Sequence, residues 1–312
     1  MKAKVIHNPY ANRWNAQKRL PEIHAVLQSA GIEYDLVSTT GPGHAIELAA
    51  QAAHQGYDAI LAAGGDGTIS EVMNGICQAT NPSETQKASI PLGILPLGTA
   101  NDLVINLGMP TDLRTAAAFL PAGKIRYIDL GTVTYKRAGI CQPIRYFDNN
   151  SAMGLEPSVT LVQQRITWLQ GTLRYLLATL IAISRNPQWT VHLEWEGGQY
   201  DGPCTLVTVG NTPVTGGLFY MTPHADPADG KLTFVYAYMK GRLAILRLLP
   251  RTMKPGPGSY VEHPAVHEIH SAWLRIRTEQ PTPLHADGEI QSETAQEIEY
   301  RTLPGVLPVI VP

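Results

Sequence analysis

The chain has 312 residues, 44% of them hydrophobic and only 16% charged, so it is too apolar for a disordered chain and long enough for two domains at roughly one per 150 residues. Its 24 Lys and Arg against 26 Asp and Glu leave a net charge of −2, which excludes a generally basic nucleic-acid binder. Cys77, Cys141 and Cys204 stand far apart with no CxxC pair. They make neither a disulfide framework nor a zinc site, and read as small buried hydrophobes in a reducing cytoplasm.

The opening MKAKVIHNPY lacks the apolar core of a signal peptide. Residues 2–7 read as a strand around Val5 and Ile6. A helix follows from near Pro21, which suits a first helical turn, to Gly31. Residues 33–38 form a strand, 43–55 an Ala-rich helix, 59–63 a short apolar strand and 69–79 a helix. A strand at 91–95, a helix at 100–107 and a strand at 126–129 complete the first part. Strands alternating with helices predict a doubly wound α/β domain over 1–130, with a mostly parallel sheet covered on both faces.

After Asp129 the texture changes to short β-rich runs at 131–135, 145–149, 190–195, 205–210, 232–237, 272–277 and 297–301. Gly/Pro turns separate them and 254–259 reads as a loop, so 131–302 is expected to be a β-rich, sandwich-like domain. The tail from about 303 to 312 is expected to return to the first domain. Apolar residues at 159, 162, 166, 169, 173, 176, 180 and 183 predict one long helix of about seven turns. The longest apolar run, 173–183, is interrupted by Arg174 and falls short of the roughly 20 residues of a membrane span.

Two glycine-containing loops carry the chemistry. Gly64-Gly65-Asp66-Gly67-Thr68 lies between an apolar strand and a helix. Such glycines let backbone approach a ligand closely, and the N–H groups of the following helix suit phosphate. Asp66 would hold Mg²⁺, and Glu71 would reach a ribose hydroxyl. Pro96-Leu97-Gly98-Thr99-Ala100-Asn101-Asp102 is a second such junction, with Thr99 placed to cap the helix. Loops at the carboxyl ends of parallel strands line the ligand crevice of an open α/β sheet. The chain has neither GxxxxGK[ST] nor a GxGxxG after its first strand.

These motifs resemble those of the diacylglycerol kinase catalytic-domain family, which includes sphingosine, ceramide and bacterial lipid kinases. The resemblance begins at His7-Asn8-Pro9, Thr39-Thr40 and Gly43-His44-Ala45, and is most specific in GGDGTISEVMNG (64–75) and PLGILPLGTAND (91–102). It continues through Asp129-Leu130-Gly131, residues 147–150, Gly154, Gly216-Gly217, Thr222-Pro223, Ala225 and Asp229-Gly230 to Asp287-Gly288-Glu289. It implies an ATP-binding α/β domain, a β-rich domain and transfer of the ATP γ-phosphoryl group to a lipid hydroxyl, most simply that of diacylglycerol.

By the same resemblance, Asn8, Pro9, Thr39, Thr40, Gly65, Asp66, Gly67, Thr68, Ile69, Ser70, Glu71 and Thr99 would bind ATP. Asp66, Asp102 and Asp129 would organise Mg²⁺, partly through water, and Asp287 and Glu289 would flank the acceptor hydroxyl, one as general base. Asp226, Asp229 and the Lys231 carbonyl would hold a structural metal. The family pattern Asn-Pro-x-Ser-Gly is replaced by Asn8-Pro9-Tyr10-Ala11-Asn12, where Asn12 can still adopt a left-handed conformation. From the residues alone, Asp287 and Glu289 at i and i+2 would face one way on an extended segment, with Gly288 leaving room between them.

An NAD kinase-like enzyme and a non-catalytic nucleotide- or lipid-binding regulator are the competing readings. The expected partner is a lipid at an anionic membrane surface, met by a cytoplasmic, peripheral protein; a homodimer is compatible with the sequence. Residues 157–193 and 231–261 contain no Asp or Glu and together carry nine Lys and Arg, so parts of the second domain are expected to meet the bilayer, with Arg242, Arg247 and Arg251 among the contacts.

Overall fold

A computed structural model of the chain describes residues 1–312 except Trp14, Glu84, Thr167, Gln170 and Asn186, and the side chain of Thr172. It divides into two units, Met1–Leu130 with Pro227–Gly230 and Leu303–Pro312, and Gly131–Asp226 with Lys231–Thr302. The architecture is mixed, with an α/β first unit and a β-rich second one.

The first unit is built on strands β1 (Lys2–His7), β2 (Glu33–Ser38), β3 (Ala59–Gly64) and β4 (Leu92–Pro96). They run parallel in the order β4-β3-β1-β2, and Val309 of the C-terminal tail pairs with Leu92 beside β4. Ala3, Val5, Leu61 and Leu95 pack with Ile23, Val26 and Leu27 of helix α1 (Leu20–Ser29). Alternate residues Ile6, Ile60, Ala62 and Ile94 point the other way and are also buried, as a sheet covered on both faces requires. Helix α2 (His44–Ala52) packs on α3 (Asp66–Thr80), which packs on β3. β2 and β3 lie on opposite sides of β1, so the chain reverses direction across the sheet there. Open α/β sheets bind ligands at such a point, outside the carboxyl ends of the strands.

Several boundaries differ from the sequence reading. Helix α3 begins at Asp66, not 69, because Gly65 supplies an extended N-cap and Thr68 and Ile69 already bond back to its carbonyl. Helix α4 (Asp102–Asn106) begins at Asp102, not 100, behind Asn101 at φ +53°. Helix α5 (Leu113–Phe119), capped by the Asp112 carboxylate on the Thr115 N–H, was not among the expected elements; it buries Leu113, Ala116 and Ala117. The strands expected at 126–129 and 131–135 are one strand, β5 (Lys124–Arg137). Gly131 lies within it, paired with Phe147, whose ring occupies the space where a Cβ would be.

The second unit is an antiparallel sheet. It contains β6 (Asn150–Gly154), β7 (Trp189–Trp195), β8 (Gly198–Cys204), β9 (Leu206–Gly210), β10 (Leu232–Ala237), β11 (Val266–Ser271), β12 (Trp273–Ala286) and β13 (Glu289–Val311), whose last residues belong to the first unit. The order is β11-β10-β9-β6-β12-β13, and β7 joins the hairpin β7–β8 to β12. Phe147, Leu193, Val209, Phe234, Ile276 and Tyr300 fill its core.

The long helix is not continuous. It is two helices, α6 (Leu155–Arg165) and α7 (Gly171–Ser184). Ile166 leaves helical geometry, and Arg174 donates from Nε and Nη2 to the Gln163 carbonyl at 2.8 and 2.5 Å, holding the end of α6. Val159, Val162, Ile166 and Ile183 are buried as expected, but Leu173, Leu176 and Leu180 are exposed. Cys77 and Cys204 are buried, and burial pushes the Cys204 thiol up to about 12. Cys141 is exposed, against expectation, because it lies on the short outer strand Ile140–Cys141. Among the described residues no helix is long and apolar enough to cross a membrane.

Candidate active site

In the first unit the expected nucleotide residues gather where β1, β2, β3 and β4 end. Asn8 follows β1; its N–H bonds to the Ala63 carbonyl, and its side-chain amide donates to Thr68 Oγ1 at 2.9 Å. Its Oδ1 accepts from the Tyr10 N–H, closing the turn in which Asn12 takes φ +46°. Asn tolerates such a left-handed position. Thr39 is buried at the end of β2, and its N–H bonds to the His7 carbonyl at 2.8 Å. Thr40 is exposed, with its N–H on His44 Nδ1.

The two glycine loops touch backbone to backbone. A Cβ at Gly98 would lie 2.5 Å from Gly65 Cα, and one at Gly65 would lie 3.0 Å from Gly98 Cα. Only glycine fits both positions. Asp66 sets this junction: its Oδ2 accepts the Asn101 N–H at 2.9 Å and its Oδ1 the Asp102 N–H at 2.5 Å. The carboxylate therefore caps α4 from the neighbouring loop, a favourable place for negative charge. Thr99 does not act as the cap; it is exposed, two residues ahead of Asn101.

Four further residues, Glu71, Ile69, Ser70 and Asp129, have surroundings that the sequence did not foretell. Glu71 is turned to the start of α2, accepting the Gly43 and Ala45 N–H groups at 2.8 and 3.1 Å, and works there as a helix cap. Ile69 and Ser70 are fully buried, so their side chains belong to the core beneath the loop. Asp129 is a clasp, with Oδ2 on the Gly230 N–H at 2.7 Å, Oδ1 on the Gly305 N–H at 2.6 Å and its own N–H on the Pro227 carbonyl at 2.7 Å. It thus pins both returning segments of the first unit. Asp226 and Asp229 are exposed on the connection that reaches Lys231.

No group of three or more His, Cys, Asp or Glu side chains able to hold a metal gathers among the described residues. Mg²⁺ does not need one: it is commonly held by one or two carboxylates with waters and substrate phosphates. Asp66 and the adjacent, buried Asp102 supply hard oxygen donors of that kind.

The second unit holds the other two acids. Asp287 and Gly288, at φ +45° and +75°, form the two-residue turn between Ala286 and Glu289, which pair across the hairpin. Asp-Gly with both φ positive is the turn that matches the twist of the strands. The two acids are therefore not on an extended segment, and their partners differ. Asp287 accepts backbone N–H groups of Asp148, Asn149 and Asn150 at 3.3, 3.1 and 3.2 Å, and its own N–H bonds to the Asn150 carbonyl at 2.7 Å. Glu289 pairs with Arg145 at 2.9 Å.

Beneath the turn lies a cluster that the sequence reading missed. Glu156 Oε1 faces His285 Nε2 at 3.2 Å and accepts the Asn150 amide at 2.7 Å. Burial alone would raise the Glu156 carboxyl, but the His285 bond and charge and the Asn150 amide outweigh it and leave it lowered. Ser151 donates to the His285 carbonyl at 2.5 Å and meets Tyr300, whose phenol burial pushes up. A Glu just after the glycine that ends β6 was the available signal.

Residues 2–133 match the family described as diacylglycerol kinase catalytic domain, and residues 150–311 the YegS C-terminal NAD kinase beta sandwich-like domain. A diacylglycerol kinase of Staphylococcus saprophyticus is 29% identical over 294 residues, covering 92% of this chain and 88% of that protein. One from Staphylococcus carnosus is 27% identical over 293 residues with the same coverage. A crystal structure of a diacylglycerol kinase from Bacillus anthracis shares the fold, with a TM-score of 0.71 at 21% identity over 100% of this chain and 97% of that one. Yeast NADH kinase matches at a TM-score of 0.53 and 11% identity, covering 100% of this chain and 84% of its own. The chain belongs to the diacylglycerol kinase catalytic-domain family, and it is a kinase of that family.

Proposed function

We propose that the chain is an ATP- and Mg²⁺-dependent lipid kinase that phosphorylates the free hydroxyl of diacylglycerol and yields phosphatidic acid. The observation that carries the reading is the Asp66 carboxylate joining the two glycine loops at the carboxyl ends of the parallel strands. Phosphoryl transfer needs positioning and charge neutralisation more than covalent help. Mg²⁺ would be held by Asp66 and Asp102, supplying positive charge to the phosphate oxygens. The glycine backbone at 64–68 and the N-terminus of α3 would receive the phosphates, and Asn8 would fix that loop through Thr68.

Asp287 is assigned the base that accepts the lipid hydroxyl proton. Three backbone N–H groups orient its carboxylate, whereas Glu289 is tied to Arg145. Asp226, Asp229 and the Lys231 carbonyl are proposed as a separate structural metal site. The names of the Staphylococcus relatives support diacylglycerol as acceptor. The likeness to NADH kinase supports the fold alone.

The test is transfer of labelled γ-phosphate from ATP to diacylglycerol, a sphingoid base, ceramide and NAD, each offered separately to the purified chain with Mg²⁺. Label entering diacylglycerol well ahead of the others is expected. Label entering NAD alone would replace this reading with that of an NAD kinase, and label entering none would leave a non-catalytic binder.

A further inference from the structure

The Asp287-Gly288 turn is held from two sides, and both holds meet at one carboxylate. On one side is Asn150, the first residue of β6. Its N–H donates to Asp287 Oδ1 at 3.2 Å, and its carbonyl accepts the Asp287 N–H at 2.7 Å. On the other side is His285 of β12, whose Nδ1 accepts the Gly288 N–H at 3.4 Å. Glu156 Oε1 receives both supports from behind: the Asn150 side-chain amide at 2.7 Å and His285 Nε2 at 3.2 Å.

This pattern fixes the imidazole. Because Nδ1 accepts, the ring proton is on Nε2 and is donated to Glu156. Ser151 anchors the backbone at the same point, with its hydroxyl on the His285 carbonyl at 2.5 Å. The pairing of β12 with β13 shifts register between Leu284 and His285, an irregularity of the kind that re-aims side chains. Glu156 stands in the first turn of α6, where the helix N-terminus favours its charge. Asp287, at φ +45°, needs such support: a non-glycine residue keeps that conformation only where its surroundings impose it. All of these residues belong to the second unit.

We propose that Glu156 is a positioning residue for phosphoryl transfer: through His285 and Asn150 it holds the Asp287 turn in the geometry in which its carboxylate meets the acceptor hydroxyl. Only 15% of the Glu156 side chain is exposed, and its Oε1 is committed to the two supports, so it acts through Asp287 and not on the substrate. The proposal rests on Asp287 as the base of the lipid-kinase reading. Exchange of the turn amides is measured without ATP or lipid, so the two fail separately.

The experiment compares E156A, E156Q and H285Q in labelled-phosphate transfer to detergent-dispersed diacylglycerol and in hydrogen exchange of the Asp287 and Gly288 amides. E156A leaves the Asn150 amide and His285 without their shared acceptor. Exchange at the two amides should then rise on the order of tenfold to a hundredfold. The kcat should fall on the order of tenfold to a hundredfold as the base is misplaced, while KM for ATP and for diacylglycerol stays within about twofold. Gln keeps an oxygen for both supports and sets its NH₂ beside the Thr208 hydroxyl, so E156Q should stay within about fivefold of wild type in both measurements. H285Q keeps a donor toward Glu156 but has no acceptor for Gly288, and should reproduce the loss even if E156A fails to fold. D287N removes the base and keeps the turn, so E156A/D287N should be no slower than D287N. Unchanged exchange and kcat in E156A and H285Q would overturn the proposal. So would a raised KM for diacylglycerol at unchanged kcat, which marks a substrate contact, or an equal further loss on the D287N background, which marks a merely structural residue. An inactive wild-type chain would refute the lipid-kinase reading, whereas accelerated exchange in E156A would still support the hold on the turn.

Discussion

Replacing Asp66 by Asn probes the junction of the two glycine loops with almost no change in volume. The wild-type carboxylate accepts two backbone N–H groups, from Asn101 at 2.9 Å and Asp102 at 2.5 Å. Asn keeps one acceptor oxygen but turns an NH₂ donor toward the other N–H. One N–H then loses its partner, at about 1–3 kcal/mol, and the remaining bond loses its charge assistance, at about another 1 kcal/mol. The sum, roughly 2–4 kcal/mol, raises local opening of the loop by about thirtyfold to several hundredfold. Hydrogen exchange of the Asn101 and Asp102 amides should accelerate by that factor, while the strands of both units keep their protection. Turnover should fall on the order of a thousandfold or more, since the same carboxylate is proposed to organise Mg²⁺. Near-normal turnover with unchanged exchange at both amides would refute the reasoning.

Asp287→Ala and Glu289→Ala should each lose turnover while ATP affinity by calorimetry stays within about twofold; collapse of ATP binding in both would move them out of the acceptor role. Asp226→Asn with Asp229→Asn should lower the melting temperature in Mg²⁺ and flatten the dependence of stability on free metal; an unaltered metal dependence would leave that connection as a plain turn held by Asp129. The Glu156 carboxyl sits below its ordinary value of 4.5 in the folded chain, so its stabilising contribution is present above pH 4.5 and is lost as pH falls through the lowered value. The melting temperature of the wild type should therefore drop more steeply below that pH than that of Glu156→Gln, and parallel curves would show that the His285 pair contributes nothing.

Much of the first unit was legible because its strands are short apolar runs separated by strong turn signals. Residues 2–7 and 33–38 are strands with the boundaries expected of them. The glycine loops were legible as places of close backbone approach, because glycine is required where backbone meets backbone, as at Gly65 and Gly98. What failed was long-range. Nothing local says that Glu71 would cap α2, that Asp129 would clasp Gly230 and Gly305, or that Asp66 would cap α4. A carboxylate's partner across the fold is not encoded in its neighbours. The long helix failed for a related reason: the apolar period runs on through 166–170, but a tertiary contact from Arg174 to Gln163 marks where α6 ends. The Asp287-Gly288 turn was recognisable by composition, yet its carboxylate gains meaning only from the three N–H groups of residues 148–150.

The most direct test of the central claim is the mass spectrum of the lipid recovered after the purified chain is incubated with ATP, Mg²⁺ and detergent-dispersed diacylglycerol. Phosphatidic acid should form, should require both ATP and Mg²⁺, and should be absent with the Asp66→Asn and Asp287→Ala variants. Unchanged diacylglycerol with the wild-type chain, or phosphatidic acid formed equally by both variants, would contradict the account.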